Sequence, residues 1–129
     1  MAASVTRSSA RVSPRSVAVM LRALIAHALS ATPLGSAVTI TVSATFVTPD
    51  GGLGARVLVD DAGTILPTAA RRALLALEVE PGTFGRPSSV GLFVAAEIAS
   101  AQGALLEIGD APVEAGRGGG VRVGVTFPR

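Results

Sequence analysis

Apolar residues recur at helical spacing early in the chain, where Val17, Met20, Leu21, Leu24, Ile25 and Ala28 fall on one face and define a buried stripe. Ser13-Pro14 precedes that stripe, a capping side chain followed by proline at the first helical position, and Pro33 and Gly35 end it. The period then changes to two. Val38, Ile40, Val42, Ala44 and Phe46 alternate with Thr39, Thr41, Ser43 and Thr45, the pattern of a half-buried strand. Pro49-Asp50-Gly51-Gly52 is a turn, and residues Arg56 to Asp60 return as a second strand, closing a hairpin. Thr68 caps a short helix expected to reach Leu77. Residues Glu80 to Ser89 carry too much Pro and Gly for regular structure and read as a lid loop. A helix from Val90 to Ala101 closes at Gly103, followed by a strand from Ala104 to Ile108, a loop through Gly118-Gly119-Gly120 and a last strand from Val121 to Phe127.

The order helix, two strands, helix, helix, two strands predicts an α+β two-layer sandwich, a mixed, mostly antiparallel sheet with helices packed on one face. Residues 13–129 form one domain in this reading, and the Ser- and Arg-rich residues 1–12 form a frayed or short edge segment. No internal repeat is present.

Composition narrows the chemistry. A chain of 129 residues suits a single core, burying about two-thirds of the surface of the unfolded chain. With 49% hydrophobic residues but only four Phe and no Trp or Tyr, that core is built of Val, Leu, Ile and Ala. All eleven basic residues are Arg, the net charge is +2, and no arginine cluster is interleaved with aromatics, which argues against nucleic acid as a partner. The absence of cysteine removes disulfides, thiolate zinc sites and a cysteine nucleophile. Arg7, Arg11 and Arg15 ahead of an apolar stretch raise the pattern of a targeting peptide, but Arg22 and His27 interrupt the run. No stretch reaches the roughly 20 apolar residues of a membrane span; a cytoplasmic location is expected, and a reducing compartment is compatible with the lack of cysteine.

Two segments carry candidate chemistry. In the first, Val57, Val59 and Asp61 share a strand face, so that Asp61 rather than Asp60 faces the pocket side, and the chain continues Ala62-Gly63-Thr64-Ile65-Leu66-Pro67. In the second, Pro87-Ser88-Ser89-Val90-Gly91-Leu92 runs directly into an apolar helix. Together with the helix bearing Ala23 and His27, and in this order, they resemble the ATP-binding domain of sensor histidine kinases, the branch of the ATPase superfamily that includes gyrase and the heat-shock chaperones. The resemblance covers roughly Val12 to Pro128 and implies a Bergerat-type fold.

It also implies roles. Ala23 and His27 stand where the family places two Asn, the second a Mg²⁺ ligand; Mg²⁺ prefers oxygen donors, so imidazole is a poor substitute. Asp61 stands where a carboxylate accepts a hydrogen bond from the adenine amino group, with Gly63 after it, and Ile65 replaces a second glycine. A β-branched side chain there resists positive φ and fills space the nucleotide would use. Gly91 and Leu92 match the phosphate box, while Pro87 has no amide hydrogen to donate. Ser88 and Ser89 either offer donors to one phosphate or cap the helix. The nucleotide-binding set implied is His27, Asp61, Gly63, Ser88, Ser89, Gly91 and Leu92, with no catalytic residue and no metal site. Plainer readings stand beside it: a helix-edge histidine and a strand-end aspartate in a turn.

The resemblance and its departures together imply a degenerate domain in two-component-like signalling, binding ATP or ADP weakly or not at all, with little help from Mg²⁺. Its partner would be a signalling protein, such as a response regulator or a kinase hairpin domain. The resemblance does not extend to the hairpin bearing a phosphoacceptor histidine, and His27 is not that residue. The alternatives are a working ATP-binding domain of a divergent sensor kinase, and an anti-sigma-type regulator that phosphorylates a partner's serine.

Overall fold

The computed structural model describes residues 13–48, 50–75, 90–113 and 119–128. Three helices and four strands follow one another as α1 (Pro14–Ala31), β1 (Thr39–Val47), β2 (Leu53–Asp60), α2 (Thr68–Leu75), α3 (Val90–Ala101), β3 (Leu105–Ala111) and β4 (Gly120–Pro128). The strands form one sheet in the order β1-β2-β4-β3, and every pairing is antiparallel, so the described strands supply no parallel component to the expected mixed sheet. The expected extension of α2 to Leu77, the lid of residues 80–89 and the segment 1–12 lie outside the described residues.

The end signals act as the sequence implies. Ser13 Oγ accepts the Ser16 amide hydrogen at 3.2 Å with Pro14 opening α1. At the other end of the helical layer, Gly103 takes φ 70° and lets Ala104 N–H reach back to Ala99 C=O at 2.8 Å. Ser13 N–H also donates to Gln102 Oε1 at 2.6 Å, joining the first turn of α1 to the exit of α3.

Met20, Leu24 and Ala28 from α1 pack with Leu92, Ala95 and Ala99 from α3 over Val59, Val121, Val123 and Val125 of the sheet. The alanines of α3 let the two helices approach closely, which is how a core so poor in aromatics fills. Two expectations need correction. Ile25 is only half-buried and lies in an open groove with Leu21 and Leu29, because among the described residues α1 is flanked by α3 on one side only. Ile40 and Val42 face the helical side of the sheet but remain 46% and 68% exposed. The reason is placement: among the described strands β1 lies at the edge of the sheet, and α1 lies against β2 rather than over β1.

Candidate nucleotide site

The end of β2 and the start of β4 meet at Asp61. Strand alternation sends Asp60 and Asp61 to opposite faces. Asp60 forms a two-pronged ion pair with Arg122 of β4, at 2.7 Å to Nε and 2.9 Å to Nη2, on the face away from the helices. Asp61 goes to the helical side, as expected, and is 2% exposed.

Its carboxylate is held by the backbone. Asp61 Oδ1 accepts from Gly63 N–H at 2.9 Å, closing an Asx turn, and from Val121 N–H at 3.1 Å. The Asp61 amide in turn donates to the Val121 carbonyl at 3.0 Å. Gly120 sits so close that a Cβ there would fall 2.0 Å from the Asp61 carbonyl oxygen. The helical layer adds one more contact: Thr32, the residue capping α1, donates its hydroxyl to Ala28 C=O at 2.8 Å and accepts the Ala62 amide hydrogen at 3.2 Å. Thr32, Gly120 and Val121 are thus part of this corner, though none is in the nucleotide-binding set that the resemblance implies; Gly120 and Val121 match only the family's scaffold, and the position of Thr32 after a helix hints at a cap.

Elsewhere in the corner, Gly63 is half-buried in the turn. Ile65 is 56% exposed, and its Cδ1 would lie 3.2 Å from a Cβ at Gly119, so it rests against the approach to β4. Leu66 is 2% exposed in the core. His27 is 7% exposed on α1. Gly91, in the first turn of α3, faces the backbone of α1: a Cβ there would stand 3.5 Å from the Ala23 carbonyl oxygen. Leu92 is 1% exposed and belongs to the core. The fold therefore gathers α1, the Asp61 turn and the first turn of α3 on the helical side of the sheet, while Ser88 and Ser89 lie outside the described residues. Among the described residues, no group of three or more His, Asp or Glu side chains comes together to hold a metal ion.

No family model matches the chain, and no curated protein matches it. Solved structures do. A mycobacterial sensor histidine kinase, MprB, aligns over 88% of this chain and 70% of its own with a TM-score of 0.69 at 16% identity. Full-length ShkA in complex with AMPPNP aligns over 88% of this chain with a TM-score of 0.64 at 25% identity. The fold is that of a histidine-kinase-like ATPase domain.

This histidine-kinase-like chain spans 21% of the length of the ShkA chain. No described helix is long and apolar enough to cross a membrane.

Proposed function

We propose that this histidine-kinase-like domain works in signal transduction chiefly through protein contact, with weak or absent ATP binding. The observation that supports this reading is the state of the helix edge. The two α1 positions that the resemblance assigns to amide ligands hold Ala23, which has no polar side chain, and the buried imidazole of His27. Neither offers the oxygen donor that Mg²⁺ prefers. Each lost charged or amide contact is worth about 1.5–3 kcal/mol, so two such losses weaken affinity by roughly 10²- to 10⁴-fold. The partner class is a signalling protein such as a response regulator or a kinase hairpin domain, and the compartment is the cytoplasm.

A second reading, a nucleotide-binding domain of a divergent kinase, draws support from Asp61, which is buried on the helical side of the sheet, and from the neighbour ShkA, which carries AMPPNP. Titration calorimetry with ATP and ADP, with and without Mg²⁺, separates the two. The expected result is a dissociation constant near millimolar or weaker, about the scale that the lost contacts imply, and unchanged by Mg²⁺. A micromolar, Mg²⁺-dependent affinity overturns the first reading in favour of the second.

A further inference from the structure

We infer that the face of the sheet turned away from the helices holds a binding site for a small amino carboxylate, a ligand the size of a free amino acid. The three described helices pack on the other face, where the candidate nucleotide positions lie, so the inference rests on neither reading of the nucleotide.

The strand register lays side chains across this outer face in rows. Asp60, Arg122 and Gly109 form one row, Leu58, Gly124 and Glu107 the next, and Arg56, Thr126 and Leu105 the third. Glycines on the diagonal of neighbouring strands, Gly109 and Gly124, leave a hollow of about 230 Å³ between these rows. Leu58 leans over Gly124, its Cδ2 lying 3.0 Å from where a Cβ would stand, and forms an apolar floor. A Cβ at Gly109 would meet open space. Pockets for drug-sized molecules start at about 300 Å³, so this one suits a smaller ligand.

The polar groups of the wall set that ligand's chemistry. Thr126 is 8% exposed and lines the hollow, and its hydroxyl has no hydrogen-bond partner among the described residues. A hydroxyl so placed calls for a partner from outside the chain. Arg56 stands beside Thr126 in the same row, and Glu107 stands on the far side of β4. Among the described residues Glu107 makes no ion pair or hydrogen bond, so the two opposite charges line one hollow without closing on each other. Arg122 is clamped by both carboxylate oxygens of Asp60, and that pair is neutral within itself. Arg56 and Glu107 therefore define the charge that the mouth presents. A carboxylate on Arg56 and the Thr126 hydroxyl, with an ammonium a few bonds away on Glu107, satisfies all three groups at once. A dicarboxylate would set its second anion against Glu107, and a plain amine would set its cation against Arg56.

The test is an amide NMR titration of the full chain with L-alanine, and in parallel with acetate and with ethylamine, which carry one charge each. L-alanine should give saturable shifts at the Gly109, Gly124 and Thr126 amides with a dissociation constant of about 1 mM, and acetate and ethylamine should bind at least about tenfold more weakly. Glu107→Gln should weaken L-alanine about tenfold and leave acetate unchanged. Thr126→Val should weaken both, and Gly109→Val, which fills the hollow, should abolish binding. The amide spectrum of each variant also checks that it is folded. The absence of saturable shifts in the parent chain overturns the inference. Acetate binding as tightly as L-alanine overturns it too, by making the hollow a carboxylate site alone, as does a folded Gly109→Val chain that still binds L-alanine.

Discussion

Asp61 Oδ1 accepts the amide hydrogen of Val121 at 3.1 Å while the Asp61 amide donates to the Val121 carbonyl at 3.0 Å, so one residue supplies both a backbone and a side-chain bridge to the neighbouring strand. A residue placed by resemblance at the adenine thus has a structural task as well. Asp61→Ala leaves the Gly63 and Val121 amides without that acceptor and should cost about 2–4 kcal/mol. Asp61→Asn keeps an acceptor oxygen and should cost about 1 kcal/mol. Urea unfolding distinguishes them; an Ala variant as stable as the parent would show that the bridge contributes nothing.

Gly120 and Gly109 make a matched pair. A Cβ at Gly120 meets the Asp61 carbonyl oxygen at 2.0 Å, whereas a Cβ at Gly109 meets nothing within 4 Å. Gly120→Ala should therefore destabilise by about 2–3 kcal/mol as the strands are forced apart. Gly109→Ala should be neutral or stabilising by up to about 1 kcal/mol. Thermal melts should show a clear loss for Gly120→Ala and none for Gly109→Ala, and equal shifts would contradict the close approach.

In the turn between β1 and β2, Asp50 accepts from the Thr48 hydroxyl and, at 3.1 Å, from the Gly52 amide. The Thr48 bond first, and the Gly52 amide second, hold its carboxyl below the usual aspartate value. Because the folded value lies below the unfolded one, the turn's contribution is complete above the unfolded value, about pH 4, and fades as pH falls through the folded value. Thr48→Val should move the Asp50 carboxyl resonance titration upward. If the midpoint does not move, the hydroxyl is not its main cause.

The candidate nucleotide positions should be repairable, because α1, the Asp61 turn and the first turn of α3 share the helical side of the sheet. Ala23→Asn, His27→Asn and Ile65→Gly, combined with Pro87→Gly and Ser89→Gly, should bring ATP affinity into a range calorimetry can measure, about 10²-fold above the parent. Adding Asp61→Asn should abolish it. A folded, repaired protein that still ignores ATP would refute the assignment of these positions.

Local signals were legible in the sequence. Ser13, Pro14 and Gly103 cap what they predict, and the alternation of residues 56–60 sends Asp60 and Asp61 to opposite faces. What escaped is what depends on distant neighbours. Periodicity identifies Ile25, Ile40 and Val42 as apolar-face residues, but not that the helical layer stops short of β1. Likewise the partners of Asp61 and Asp60, Val121 and Arg122, lie 60 and 62 residues away, and no local pattern couples them. A trade of nucleotide for contact would change side chains within this histidine-kinase-like frame and leave the frame itself intact.

The contact between Ser13 and Gln102 has a mechanical consequence. Ser13 caps α1 through its hydroxyl and grips the exit of α3 through its amide, across 89 residues of sequence. A pull applied ahead of Ser13 would therefore be shared between α1 and, through Gln102, the exit of α3. The helix that carries Gly91 would feel such a pull without α1 having to unwind.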